Sequence, residues 1–300
     1  MKYFFIAFLL FFNFSSIAQE DLMSILEDEV QKEKQQEKVI ATFKGSKLIN
    51  AQTIKTTKRK TLEFNITHRF GNMDIGGPTG KHTLYGIENA SNIRFSLNYG
   101  LTDKLSIGIG RSKMNEHIDG NIKFRFLEQR VKGFPISATY YAAAAISPVA
   151  NIANDDFNNR WSYTHQLIIA SKLNQYISLQ VLPTLVHRNY VNQTILHPDN
   201  GSVDQNDLFS LGFAGRFKLT KRFALIADYF LTFSEFRNAN NNYYDALGLG
   251  VEIETGGHVF NINVTNSSGI IENDFIPYTT ESWGNGGYKL GFNISRVFSF

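Results

Sequence analysis

Three hundred residues with 43% hydrophobic and 19% charged side chains make a chain of globular composition, long enough for one large β-barrel or two ordinary domains. A formal net charge of +3 excludes the basic stripe expected of a nucleic-acid-binding protein, and the absence of cysteine excludes a disulfide framework, a cysteine-bound metal and an acylated N-terminal anchor. The aromatic residues are unevenly chosen, 26 Phe and 13 Tyr against 2 Trp, a surplus that suits girdles at two membrane interfaces as well as the core of a soluble sandwich.

The chain opens with Lys2, an apolar run over residues 3–14 broken only by Asn13, and Ser15-Ser16-Ile17-Ala18 before Gln19. These are the three parts of a secretory signal peptide, residues 1–18, with cleavage after Ala18. The run falls short of the roughly 20 residues a membrane helix needs, and no other stretch approaches that length. Membrane crossing, if it occurs, must therefore use strands. Residues 19–59 read as an N-terminal periplasmic arm. Within it, residues 19–38 are dense in Glu, Lys and Gln, with Leu22, Ile25, Leu26 and Val30 near helical spacing. That predicts a short helix from Asp21, either a solvated arm or a plug against a barrel mouth. Residues 39–60 are polar and basic and end in Lys58-Arg59-Lys60, a cluster expected at the membrane edge.

From residue 60 onward the pattern is period two. Leu62, Phe64, Ile66 and Phe70 oppose Glu63, Asn65, Thr67 and Arg69; after a Gly-rich loop, Ile93, Phe95, Leu97 and Tyr99 oppose Arg94, Ser96 and Asn98. Leu105, Ile107 and Ile109 follow a short turn at 100–103, and Ile122, Phe124 and Phe126 alternate with Lys123 and Arg125. Residues 136–145, rich in Tyr and Ala, form the strand with the weakest alternation. Trp161, Tyr163, Leu167 and Ile169 oppose Arg160, Ser162, Thr164 and Gln166, and the return strand carries Ile177, Leu179, Val181 and Leu185. Pro183 inside that strand has no N–H for a ladder, which predicts a bulge. Alternating sets then recur around Phe213 with Arg216 and Lys218 opposite, around Leu225 with Asp228 between, around Val251 with Glu252 and Glu254 opposite, and around Ile262.

Residues 288–300 close the series, with Tyr288, Leu290, Phe292, Ile294, Phe298 and Phe300 on one face and Lys289, Gly291, Asn293 and Ser295 on the other. On that register Arg296 faces lipid near the periplasmic end, where it can snorkel to head groups. The count is about twelve strands. Connections near residues 100, 131, 173, 221 and 256 are short and those between them mostly long, as in a transmembrane antiparallel up-and-down barrel with periplasmic turns and extracellular loops. Residues 60–300 are thus expected to be all-β, an outer-membrane barrel. Phe298 and Phe300, as a terminal Phe-x-Phe, look like the assembly signal of bacterial outer-membrane barrels, which implies the barrel-assembly machinery and outer-membrane lipid as partners.

The chain also carries His68-Arg69-Phe70-Gly71, Ile93-Arg94 with Tyr99-Gly100, Val186-His187-Arg188-Asn189, Glu254-Thr255-Gly256-Gly257-His258 and Gly291-Phe292-Asn293-Ile294-Ser295-Arg296. Over residues 44–300 it resembles a family of uncharacterised outer-membrane β-barrel proteins of Gram-negative bacteria. The resemblance implies a fold and a location and carries no activity.

No His-x-Ser, the spacing of a lipase on a barrel wall, occurs anywhere, and the seven histidines show no mutual ligand spacing. No catalytic, cofactor or metal site is assigned. Asp155-Asp156 and residues 199–204 are as well explained by turn chemistry as by weak calcium binding. The lumen therefore carries the functional expectation: a passive channel for small, anionic solutes, or alternatively a closed structural or binding barrel that presents its loops to a partner. Arg69, Arg94, Lys123, Arg125 and Arg160 are the candidate selectivity residues. Arg69 is expected at the outer end of its strand and Arg94, Lys123 and Arg160 at the outer starts of theirs, which would make a basic outer mouth unless loop carboxylates such as Asp74 or Glu88 pair with them. Glu63, Arg216, Lys218, Asp228, Glu252 and Glu254 are expected to balance one another toward the inner end.

Overall fold

In the computed structural model, which describes residues 37–149 and 156–300, alternation with a period of two produces one closed antiparallel sheet. Its strands are β1 (Thr61–Asn72), β2 (Ala90–Gly100), β3 (Leu105–Ser112), β4 (Ile118–Leu127), β5 (Ser137–Ile146), β6 (Trp161–Lys172), β7 (Ile177–Arg188), β8 (Asp207–Lys218), β9 (Phe223–Phe233), β10 (Ala246–Thr255), β11 (His258–Thr265) and β12 (Lys289–Ser299). Each pairs with its sequence neighbours, and β1 closes on β12 from Thr61 opposite Ser299 to Arg69 opposite Gly291. No sheet edge remains, the condition for strands to cross lipid. The signal peptide, and residues 19–36 of the predicted helix, lie outside the described residues.

Outward positions are apolar and exposed, Ile109 by 63% and Ile262 by 53%. Nothing among the described residues covers them, which leaves this face for lipid. Arg296 lies on this outer face with its guanidinium 4.9 Å from the Phe298 ring centroid. Pro183 does not bulge. The β6–β7 register is the same on both sides of it, and on its other side it pairs with Leu211 of β8. The missing N–H costs β6–β7 pairing locally without an inserted residue. The register shifts fall instead after Arg69 on β1 and after Arg125 on β4.

Residues 37–40 and 128–135 make a separate small unit. In it Val39 N–H donates to the Gln129 carbonyl at 2.9 Å, Val131 N–H donates to Glu37 at 2.9 Å, and Lys38 pairs with Glu128 at 2.7 Å.

The β10–β11 turn is two residues, Gly256 and Gly257, both at positive φ, whereas β7 and β8 are joined by residues 189–206. Short turns on one rim and long loops on the other set the orientation. An epitope inserted in the β7–β8 connection is expected to be labelled on intact cells and one beside Gly256 only after permeabilisation. The opposite labelling pattern would reverse the topology.

Candidate functional site in the filled lumen

Inward faces differ around the wall. On β1–β4, β11 and β12 they are polar, whereas β6, β7 and β9 point Ile168, Leu182, Val186, Ile226 and Phe230 inward, all buried. Apolar side chains facing a barrel axis need something to pack on. Two segments supply it. Residues 41–57, leading into β1, run inside the barrel and bury Phe43, Leu48, Ile49, Ala51 and Ile54; burial of each large side chain contributes about 1.5–3 kcal/mol. The β11–β12 connection folds inward and carries the helix α1 (Glu272–Tyr278), whose Phe275 ring meets Phe230 at 4.8 Å. These pieces form one apolar cluster with β5–β10.

An extended segment inside a barrel has backbone groups to satisfy, and wall side chains satisfy them. Asp228 of β9 accepts from the N–H groups of Asn50 and Ala51 at 2.6 and 2.8 Å, and from Asn50 Nδ2 at 3.1 Å. Arg69 Nη2 donates to the Ile49 carbonyl at 2.8 Å, Asn261 to Leu48 at 2.9 Å, and Asn293 to both Leu48 and Ile49. Lys123 donates to Ser46 at 3.1 Å, Gln180 to Gln52 at 2.6 Å and Thr139 to Ile54 at 3.1 Å. Lys44 pairs with Glu254 at 2.9 Å. Gly248 of β10 is required here, since a Cβ would lie 2.7 Å from Ile49 Cγ2 and 2.8 Å from the Asp228 carboxylate. The inward loop is tied to the same scaffold. Lys47 donates to the Ile270 carbonyl, Asn273 exchanges hydrogen bonds with Ser162 and Thr164, and Asp274 meets His117 at 2.9 Å.

Among the described residues, a polar crevice of about 50 Å³ lies between residues 46–57 and the wall of β1–β5, β11 and β12. That is room for a few water molecules. Its lining includes Lys47, Lys55, Arg94 and Lys123 among hydroxyl and amide side chains, and no carboxylate.

The predicted lumen charges are redistributed accordingly. Arg69 is at the outer end of β1 as expected, but it is fully buried as an anchor of residues 41–57. Arg94 is paired with Asp119 of β4 at 2.5 Å rather than with Asp74, which hydrogen-bonds Thr79 of its own loop. Lys123 lies opposite Ser106, the second residue of β3, and so near the short-turn rim rather than the outer start. Arg125 donates to the Asp103 carbonyl at 3.0 Å on that same rim. Arg160 precedes β6 in a 3-10 turn and donates to the Pro148 carbonyl at 3.2 Å. These five residues do not make a common mouth. Among the balancing set, Arg216 meets Glu252 at 2.7 Å; Glu63 is buried in the wall, and Lys218 is half-buried at the end of β8. Asp228 and Glu254 are taken up by the inserted segment. Lys47, Lys55, Asn50, Asn261 and Asn293 were given no functional role from the sequence; the inward apolar residues of β6, β7 and β9 are the signal that could have revealed a filled lumen.

The outer loops are clamped around Asp204. Arg188 donates to it at 3.0 and 3.1 Å and Arg237 at 2.5 and 2.9 Å, while the Arg237 guanidinium lies over the rings of Tyr243 and Tyr278. Burial pushes the Asp204 carboxyl up, but the hydrogen bonds and charges of Arg237 and Arg188 together outweigh it and hold it below the usual carboxylate value. A depressed folded-state pKa means this stabilisation is present at neutral pH and is lost as the pH falls through that depressed value. Asp204→Asn should cost roughly 3 kcal/mol locally, leaving two arginines short of their partner. Limited proteolysis of the β7–β8 and β9–β10 connections should accelerate about a hundredfold at neutral pH. Equal cleavage rates in the two proteins would show that the clamp holds nothing.

The sequence model of a family described as "Membrane bound beta barrel domain (DUF5777)" matches residues 43–298. No curated protein matches the sequence. Among solved structures, the NanC porin aligns over 80% of this chain and 99% of its own, with 8% identity and a TM-score of 0.47. The KdgM porin aligns over 80% and 99%, with 6% identity and a TM-score of 0.44. The outer membrane protein Omp33 of Acinetobacter baumannii aligns over 80% and 98%, with 8% identity and a TM-score of 0.41.

Proposed function

The chain belongs to the family of membrane bound beta barrel domains, DUF5777, and from that premise we propose that it is an outer-membrane passive channel of low conductance for small, anionic solutes. The observation that carries this reading is the crevice, whose lining holds Lys47, Lys55, Arg94 and Lys123 without a carboxylate. A narrow polar space lined mostly with one sign of charge in low-dielectric walls concentrates ions of the other sign, and with Arg94 neutralised by Asp119 this rests on the three lysines. Lys47 and Lys55 come from the inserted segment and Lys123 from β4, so that segment narrows the lumen and supplies two of these three lysines.

A planar bilayer containing the purified barrel under a salt gradient tests this. Small unitary currents with a reversal potential on the anion side are expected. Lys55→Gln with Lys123→Gln should move that potential toward cation preference, and an unchanged potential in a conducting channel would rule out their role. The second reading, a closed barrel presenting its loops to a partner, is favoured by the burial of residues 41–57 and of α1 inside the wall. Complete electrical silence of folded, heat-modifiable protein selects it over the first.

A further inference from the structure

The short-turn rim carries a cationic cluster at the seam where the barrel closes. Lys58, Arg59 and Lys60 are exposed, yet their backbone is held in place. Arg59 N–H donates to Asp103 Oδ1 at 3.1 Å, Lys60 N–H to the Gly100 carbonyl at 2.9 Å, and both the N–H and the hydroxyl of Thr61 return to the Lys58 carbonyl. Gly100 permits this crossing, because a Cβ there would lie 1.9 Å from the Lys58 carbonyl oxygen. Lys60 is held at φ 57°, a conformation a lysine adopts only when its surroundings impose it. The Phe300 N–H reaches the Lys60 carbonyl at 3.5 Å, which brings the end of β12 against the same turn. Arg296 lies on the lipid side of β12, opposite Phe64 of β1 and three residues from the strand's end. That is roughly 10 Å along the strand, within reach of the interface for an arginine side chain.

A guanidinium on the lipid face costs about 2–4 kcal/mol at mid-membrane and little at the interface, so it must meet a polar partner there. Asp103 of the β2–β3 turn is bound to the Arg59 backbone, and Lys58, Arg59, Lys60 and Arg296 outnumber it. We propose that this seam is a binding site for the headgroup of an anionic phospholipid, with Lys58, Arg59 and Lys60 facing the phosphate from the aqueous side and Arg296 from the membrane side. Because the backbone of the three-residue turn is fixed by the barrel, binding has only the side chains left to order.

The test is native mass spectrometry of the full-length barrel in detergent, titrated with phosphatidylglycerol or with phosphatidylcholine, which has the same phosphodiester without net charge. Phosphatidylglycerol should bind preferentially. The triple variant K58Q/R59Q/K60Q should lose affinity by about fivefold per cation removed, and Arg296→Gln by a similar factor. Lys221 and Arg222, exposed in the β8–β9 turn of the same rim, provide the control, and K221Q/R222Q should change little. The triple variant alters no strand residue, so its readout stands even where Arg296→Gln impairs assembly. Equal binding of phosphatidylcholine, an equal loss in K221Q/R222Q, or retained affinity in K58Q/R59Q/K60Q overturns the site. Displacement of the lipid by millimolar inorganic phosphate would identify a free-anion site and overturn the lipid assignment.

Discussion

Asp228→Ala is expected to turn a narrow or silent barrel into one with intermittent wide openings. The carboxylate accepts from two successive backbone N–H groups and from the side chain of Asn50 inside the lumen. Its removal leaves the two buried backbone N–H groups without an acceptor, while Asn50 Nδ2 keeps Thr265 Oγ1 at 3.3 Å. Each buried N–H left without its acceptor costs about 1–3 kcal/mol, so two of them shift the ratio of inserted to released segment by roughly 1.5 to 4 orders of magnitude. The remaining anchors, Arg69, Asn261, Asn293 and the apolar side chains of residues 43–54, still favour insertion, so the openings should be transient. Replacing residues 41–57 by an equally long Gly/Ser stretch removes every anchor at once, and the open level should then persist with a conductance several-fold above wild type. A folded Gly/Ser variant whose unitary conductance equals that of the parent would show that the inserted segment does not set the bore. Asp228→Asn, which keeps the shape and one good acceptor, should fall between the two.

Deleting Phe298, Ser299 and Phe300 is expected to cause the largest loss of folded protein. Ser299 pairs with Thr61 and Phe298 with Leu62, so the truncation strips the closing ladder at one rim and removes the ring beneath Arg296. In lipid each unpaired backbone group costs several kcal/mol, and an open seam at the rim exposes more than one. The level of heat-modifiable barrel in outer-membrane fractions should fall sharply, while Phe298→Leu, which keeps the ladder and an apolar side chain, should retain most of it. Wild-type levels in the truncated protein would remove both the pairing argument and the role of the terminal aromatic residues in assembly.

The wall of this protein is written locally. A period of two places Leu62, Phe64 and Ile66 outside and Glu63, Asn65 and Thr67 inside, whatever the rest of the chain does. Turn residues such as Gly256-Gly257 end each strand, and the twelve strands with their alternating connections follow from counting. Register at Pro183 was less legible, because a proline's missing N–H can be absorbed by local loss of pairing as well as by a bulge, and only the neighbouring strands decide between them.

The lumen was a different problem. Residues 41–57 carry no periodicity to mark them, and their contacts are backbone groups meeting side chains far away in the chain, Asn50 with Asp228 and Leu48 with Asn261. Inward charges could be placed on a face by alternation, yet whether Arg69 meets solvent, a loop carboxylate or a backbone carbonyl depends on what occupies the axis. Alternation fixes the side of the sheet to which a side chain points, because that is a property of one strand. Which partner it meets there depends on the chain that fills the enclosed space, and only the closed tertiary structure determines that.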